Sequence, residues 1–321
     1  MSYDPNTPNS EDDEPTLVLE MEHKSELASS TKEYTEGPPS PPRGGTVIAV
    51  ANQKGGVGKT TTVINIGAWV ASMGYRVLAV DLDPQANLTT GVGVKASDLA
   101  GSTSYEAITG AKDPRTIAVD VPGVGGMRLI AACGDLAGAQ IELVAEIARE
   151  TKLRQALDWV RNDHHITLID CPPSLGLLTV NALTAADAVL IPIQCEYFAL
   201  EGLSQLLEYV SLVRRSLNKS LSVIGMLLTM ADARTRLSAE VAREVREHFG
   251  DLVFQTVIPR SVRLAEASSY GEPIAIFDPS SRGAAAYRAA AEELVARVWG
   301  TAGIDLGGTS PQREVGHTGA R

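Results

Sequence analysis

Asn52-Gln53-Lys54-Gly55-Gly56-Val57-Gly58-Lys59-Thr60-Thr61-Thr62 follows an apolar, β-branched run from Thr46 to Ala51 and leads into Val63-Ile64-Asn65-Ile66-Gly67-Ala68-Trp69-Val70. The order reads strand, glycine-rich loop, helix. Glycines without Cβ let successive backbone N–H groups turn inward as an anion nest, and the helix N-terminus adds partial positive charge there. Such a loop cradles a phosphate chain along Gly55, Gly56, Val57, Gly58, Lys59, Thr60 and Thr61. Lys59 would reach the β- and γ-phosphates, and the Thr60 hydroxyl would be a Mg²⁺ ligand. Gln53 stands where the G-x-x-x-x-G-K-[ST] pattern has its first glycine, and a second lysine, Lys54, comes next. One lysine suffices for a nucleotide held by one chain, so Lys54 is either a solvated loop lysine or serves something else.

Outward from the loop, short apolar stretches alternate with longer helical ones, the pattern of a parallel sheet covered on both faces. Strands are expected at Arg76–Asp81, Arg128–Ala131, Ile166–Asp170, Ala188–Pro192, Val223–Leu228 and Val253–Ile258. Helices are expected near Ala139–Asn162, Leu177–Ala186, Leu200–Leu217, Ser238–Phe249 and Gly283–Trp299. The fold class is α/β, a doubly wound, mostly parallel sheet. Ligands of such sheets bind at the carboxyl edge. Two strands end there in acids: Asp81-Leu82-Asp83-Pro84, and Leu168-Ile169-Asp170. Pro84 ends the strand and makes Asp83 a loop residue able to approach a nucleotide. An aspartate closing a strand beside a P-loop holds Mg²⁺ directly or through water, which assigns Asp170 to the metal. The plain alternative is a set of solvated strand-end acids capping helices.

The whole loop, with its extra lysine, resembles the deviant Walker A loop of the ParA/MinD ATPases. In that family the extra lysine crosses a dimer interface to the partner's nucleotide, so the resemblance gives Lys54, with Lys59, a catalytic part. Asp81 to Asn87 resembles the family's switch I, whose second aspartate orients the attacking water, here Asp83; Asp81 is left a structural or metal-shell role. Cys171-Pro172-Pro173-Ser174 resembles switch II. Thr229 to Arg236 and Val257 to Ala267 match two late motifs of chromosomal ParA/Soj proteins, the second touching the base through Pro259 and Ser261. The family often has Asn at the latter position, so the shorter Ser261 departs from the pattern. Arg234, Arg236, Arg260 and Arg263 would form a non-specific DNA surface, since guanidinium groups grip phosphates without reading bases. Surface arginines paired with Glu240, Glu244 or Glu266 are the competing account.

The resemblance spans residues 46–299 and implies a P-loop NTPase that hydrolyses ATP slowly to ADP and phosphate, with ATP and Mg²⁺ as cofactors. It further implies an ATP-bound homodimer on non-specific double-stranded DNA, a ParB-like protein partner, and a cytoplasmic, nucleoid-associated location. A MinD-like membrane-positioning ATPase and an orphan ParA-like regulator that positions other cargo are the competing readings. MinD proteins end in a basic amphipathic helix, whereas the tail here has no apolar face.

Composition bounds the rest. The 321 residues are 44% hydrophobic with mean hydropathy near zero, enough for a sizeable core. Net charge is −11, but residues 1–43 hold 10 acids and 3 bases, leaving 29 acids and 25 bases elsewhere. The remainder is only mildly acidic and compatible with a polyanionic partner. Residues 1–45, rich in Pro, Ser and acids, are expected to form a disordered extension; within it Thr16 to Met21 reads as a docking motif or a chance apolar cluster. Residues 46–299 form one ATPase domain and 300–321 a flexible tail. Cys133, Cys171 and Cys195 are widely spaced, which fits a reducing compartment. A [4Fe–4S] cluster needs four thiolates, which one cysteine near the nucleotide does not supply.

Overall fold

In the computed structural model, residues 44–99, 101–196 and 199–300 are described. The acidic extension, apart from Gly44 and Gly45, its Thr16–Met21 patch, and the tail beyond Gly300 lie outside the described residues.

Strand β1 (Thr46–Val50) sets the architecture. Its alternation sends Val47 and Ala49 into one buried apolar cluster and Ile48 and Val50 into another on the opposite face. A strand buried on both faces must lie inside a sheet covered by helices. The elements that follow are α1 (Lys59–Ser72), β2 (Val77–Asp81), α2 (Asn87–Gly91), α3 (Ser104–Thr109), α4 (Pro114–Ile117), β3 (Val119–Asp120) and β4 (Met127–Ile130). Next come α5 (Leu136–Glu142), α6 (Lys152–Asp158), β5 (Ile166–Asp170), α7 (Leu177–Ala185), β6 (Ala188–Gln194), α8 (Ala199–Ser216) and β7 (Ser222–Ala231). The last are α9 (Arg236–Phe249), β8 (Val253–Pro259), α10 (Val262–Tyr270), α11 (Ile274–Phe277) and α12 (Arg282–Trp299).

The sheet order is β3-β4-β2-β5-β1-β6-β7-β8, parallel except for the β3–β4 pair. From β1 the chain crosses through α1 to β2 on one side, whereas β5 passes through α7 to β6 on the other. The crevice at the carboxyl ends of β5, β1 and β6 is therefore a topological switch point, where ligands of such sheets bind.

Local chemistry ends the helices. Gly74, at φ +90°, donates its N–H to Ala71 O (2.9 Å) after α1, a left-handed conformation glycine adopts without strain. Ser281 Oγ accepts from Ala284 N (3.2 Å) at the start of α12. The α12 side chain Tyr287, fully buried, places its hydroxyl 3.3 Å from Thr62 Oγ1, fixing the second turn of α1.

One expected element is corrected. The stretch Ala139–Asn162 is not a single helix: α5 stops at Glu142, a 3-10 turn follows, and Ala148 adopts φ +54° before α6 resumes at Lys152. No Gly or Pro marks the break; the buried Asn181 makes it, accepting Leu153 N through Oδ1 (3.1 Å) and donating to Arg149 O (2.8 Å). Tertiary contacts here outweigh helix propensity.

Candidate functional site

The loop between β1 and α1 is pinned at both shoulders. Asn52 Nδ2 donates to Pro192 O (2.7 Å) on β6, its Oδ1 accepts Lys54 N (3.0 Å), and Thr229 Oγ1 on β7 donates to Val57 O (2.8 Å). Gly58, at φ +90°, caps α1, and an added Cβ would stand 3.9 Å from Thr229 and Met230. Space would admit a side chain; the left-handed backbone is what selects glycine.

The two lysines go to different places. Lys59 is 7% exposed, and its ammonium reaches back to Lys54 O (3.4 Å). Burial lowers its pKa, while Asp170, Cys171 and Asp83 act the other way. Lys54 lies outside the cleft with its ammonium 3.3 Å from Glu196 Oε2 and its side chain 37% exposed. The cleft, about 530 Å³, is lined among others by Gly58, Lys59, Thr60, Asp83, Pro173 and Met230.

Beneath it the two strand-end acids are stacked in register, Asp81 on β2 beside Asp170 on β5. Thr60 Oγ1 donates to Asp170 Oδ2 (2.7 Å), and the buried Asp170 Oδ1 has no partner among the described residues. Burial first, and then the neighbouring Asp81, hold the Asp170 carboxyl well above the usual range. An orphaned, hard oxygen next to a hydroxyl is the donor chemistry Mg²⁺ takes. Among the described residues no three His, Cys, Asp or Glu side chains gather to hold a metal alone. That suits Mg²⁺, which keeps waters and shares phosphate oxygens instead of filling an all-protein cage. Asp170 lies behind Thr60, so it would reach a cation through that hydroxyl or a water. Cys171 is fully buried and its thiol is pushed up in pKa by burial, which keeps it neutral.

Asp81 is held for structure. Its Oδ2 accepts from Thr89 N (2.9 Å) and Thr89 Oγ1 (2.7 Å), its Oδ1 from Asp83 N (3.1 Å). Thr89 Oγ1 in turn accepts from Ala132 N (2.9 Å). Burial pushes the Asp81 carboxyl from 3.8 up to about 6 despite these donors. The folded state therefore holds the extra proton between those values, and the contribution of Asp81 to stability declines as pH rises through that window. Thr89→Val removes the shortest donor and strands the Ala132 amide; it is expected to destabilise the fold by about 2–3 kcal/mol. Urea denaturation at pH 7 checks this, and a loss within 0.5 kcal/mol, the ordinary range of a surface change, would contradict it.

Asp83 lies past the strand end, nearly buried, with Oδ1 accepting from Gln85 N (3.0 Å). Among the described residues no group donates to its Oδ2. Pro259 and Ser261 do not line the cleft; Pro259 pairs with Ala231 at the end of β8, and Ser261 precedes α10 without a side-chain cap.

The four arginines are exposed at the same edge but mostly paired. Arg234 chelates Asp232 (2.8 Å), Arg260 meets Glu196 (3.3 Å), and Arg263 meets Asp278 (2.8 Å) and Glu266 (2.9 Å). Arg236, exposed at the first position of α9, has no ion pair among the described residues. Exposed pairs of this kind contribute little. Of the expected acidic partners, only Glu266 is used.

Loop, switch-point crevice and stacked acids define a P-loop nucleotide-binding protein. The AAA domain family model matches residues 45–223. Sporulation initiation inhibitor protein Soj of Bacillus subtilis is 52% identical over 252 residues, 78% of this chain and 99% of that one. Chromosome partitioning protein ParA of Caulobacter vibrioides is 49% identical over 253 residues, 78% and 94% of the two chains. The chain belongs to the Soj/ParA family of chromosome-partitioning ATPases. Among solved structures, cobyrinic acid a,c-diamide synthase from Mycobacterium smegmatis with bound ADP and magnesium is 40% identical, with TM-score 0.69, covering 78% of this chain and 94% of that one. The cell division ATPase MinD of Pyrococcus furiosus is 25% identical, with TM-score 0.65, covering 78% and 98%. No helix among the described residues is long and apolar enough to cross a membrane.

Proposed function

We propose that this protein is an ATP-dependent DNA-partitioning switch. Mg-ATP drives a sandwich homodimer, the dimer binds double-stranded DNA non-specifically on the nucleoid, and a ParB-like partner stimulates hydrolysis and release. The observation that carries the reading is the divergence of the two loop lysines. Lys59 is buried against its own loop, while Lys54 is not among the residues lining the cleft and holds its ammonium 3.3 Å from Glu196 on a side chain 37% exposed.

Within one chain, the loop amides and Lys59 bind the phosphates, and Met230 closes one wall of the cleft. Mg²⁺, held by Thr60 with Asp170 behind it, would neutralise charge on the transferring phosphoryl group. Asp83, through its open Oδ2, orients the attacking water. A ligand shifts an equilibrium only by binding two states differently; contact of Lys54 with the partner's triphosphate supplies that difference. Arg234, Arg236, Arg260 and Arg263 from both chains then form one basic surface, with Pro259 and Ser261 at the base side.

Binding to a long unrelated duplex is measured with ADP, with ATP, and with ATP at raised salt. Tight binding only with ATP, falling steeply with salt, is expected; equal binding with both nucleotides overturns the switch. Lys54→Ala is expected to bind ATP as a monomer and to lose ATP-dependent dimerisation, read by light scattering. Dimerisation at the wild-type protein concentration would remove Lys54 from the interface.

A further inference from the structure

Glu196, two residues past the end of β6, gathers three donors on one carboxylate. Oε2 takes the Lys54 ammonium (3.3 Å), and Oε1 takes Gln194 Nε2 (2.6 Å) and Arg260 Nη2 (3.3 Å). Gln194 is the last residue of β6, so the carboxylate is fixed to the sheet edge. The side chain is 44% exposed.

We propose that Glu196 is a positioning residue for Lys54: it parks the lysine on its own chain, and Arg260 is the second cation that keeps the carboxylate when Lys54 leaves. The proposal rests on the dimer reading above. Lys54 cannot pair with Glu196 and touch another chain's phosphates together, so every dimer formed breaks two parked pairs. A half-exposed ion pair biases an equilibrium by about 1.5- to fivefold, and two of them by roughly two- to thirtyfold. Arg260 opposes the parking, because a carboxylate already shared with a guanidinium releases the ammonium more easily. Removing Glu196 and removing Arg260 must then shift dimerisation in opposite directions. A residue that merely stabilises the loop would shift it one way only.

The full chain is titrated by light scattering with a non-hydrolysable ATP analogue, without DNA, as wild type, Glu196→Gln, Arg260→Ala and the double variant. Lys54→Ala serves as the control. Glu196→Gln is expected to lower the dimer dissociation constant by roughly two- to thirtyfold and Arg260→Ala to raise it several-fold. In the Glu196→Gln background Arg260→Ala is expected to change nothing, since it acts only through the carboxylate. If wild type does not dimerise, or Lys54→Ala dimerises like wild type, the dimer reading falls and the parking with it. If Lys54→Ala fails to dimerise while Glu196→Gln and Arg260→Ala match wild type, or shift the same way, the parking alone is overturned.

Discussion

Lys59→Ala lowers affinity for ATP by about a hundredfold or more. The ammonium is buried in the loop beside the cleft, with its desolvation already incurred in the folded protein. Two charge-assisted hydrogen bonds to phosphate oxygens, each worth about 1.5–3 kcal/mol, set that scale. The same change withdraws positive charge from Asp170, so the apo variant also holds the Asp170 carboxyl protonated to higher pH. Titration with a fluorescent ATP analogue measures the loss, and circular dichroism checks the fold. A change below tenfold would remove Lys59 as the phosphate anchor.

Asp83→Ala separates binding from turnover. Asp83 contributes no hydrogen bond to the loop itself; its Oδ1 only steadies Gln85 N, and its Oδ2 faces no donor among the described residues. Removing a group that positions the nucleophile costs about 10²- to 10⁴-fold in rate. ATP turnover is therefore expected to fall at least a hundredfold on that scale, with nucleotide affinity within a few-fold of wild type. The ATP-bound dimer then outlives the wild-type one on DNA. Steady-state phosphate release, with and without DNA, measures it; wild-type turnover would return Asp83 to the status of a turn-forming acid.

Much of this arrangement is legible in the sequence, and the reasons for what is not are local. The two-sided burial of β1 follows from its unbroken apolar run, and the loop follows from its glycines and lysines. Strand-end acids are legible because apolar runs stop at them. The two-residue edge strand β3 is too short to carry any period. Thr89 looks like one more polar residue on a short helix; only folding brings its hydroxyl between Asp81 and Ala132 N. Glu196 and the partners of Arg260 and Arg263 are set by which strand ends meet, and no spacing in the chain encodes Arg260 beside Glu196 or Arg263 beside Asp278. Met230, at φ +52° on the cleft wall, is likewise a backbone feature that its residue type conceals.

The position of β1 between β5 and β6 has a consequence for synthesis. The strand that launches the nucleotide loop leaves the ribosome well ahead of both its sheet neighbours, since Ile166–Asp170 and Ala188–Leu190 follow only after more than a hundred further residues. Pairing at such separation is slow to form. Until β6 has emerged, Asn52 lacks the Pro192 carbonyl that braces the loop. A nascent chain thus carries the whole phosphate-binding motif without a phosphate-binding site, and competence arrives late, when the sheet closes around its own beginning.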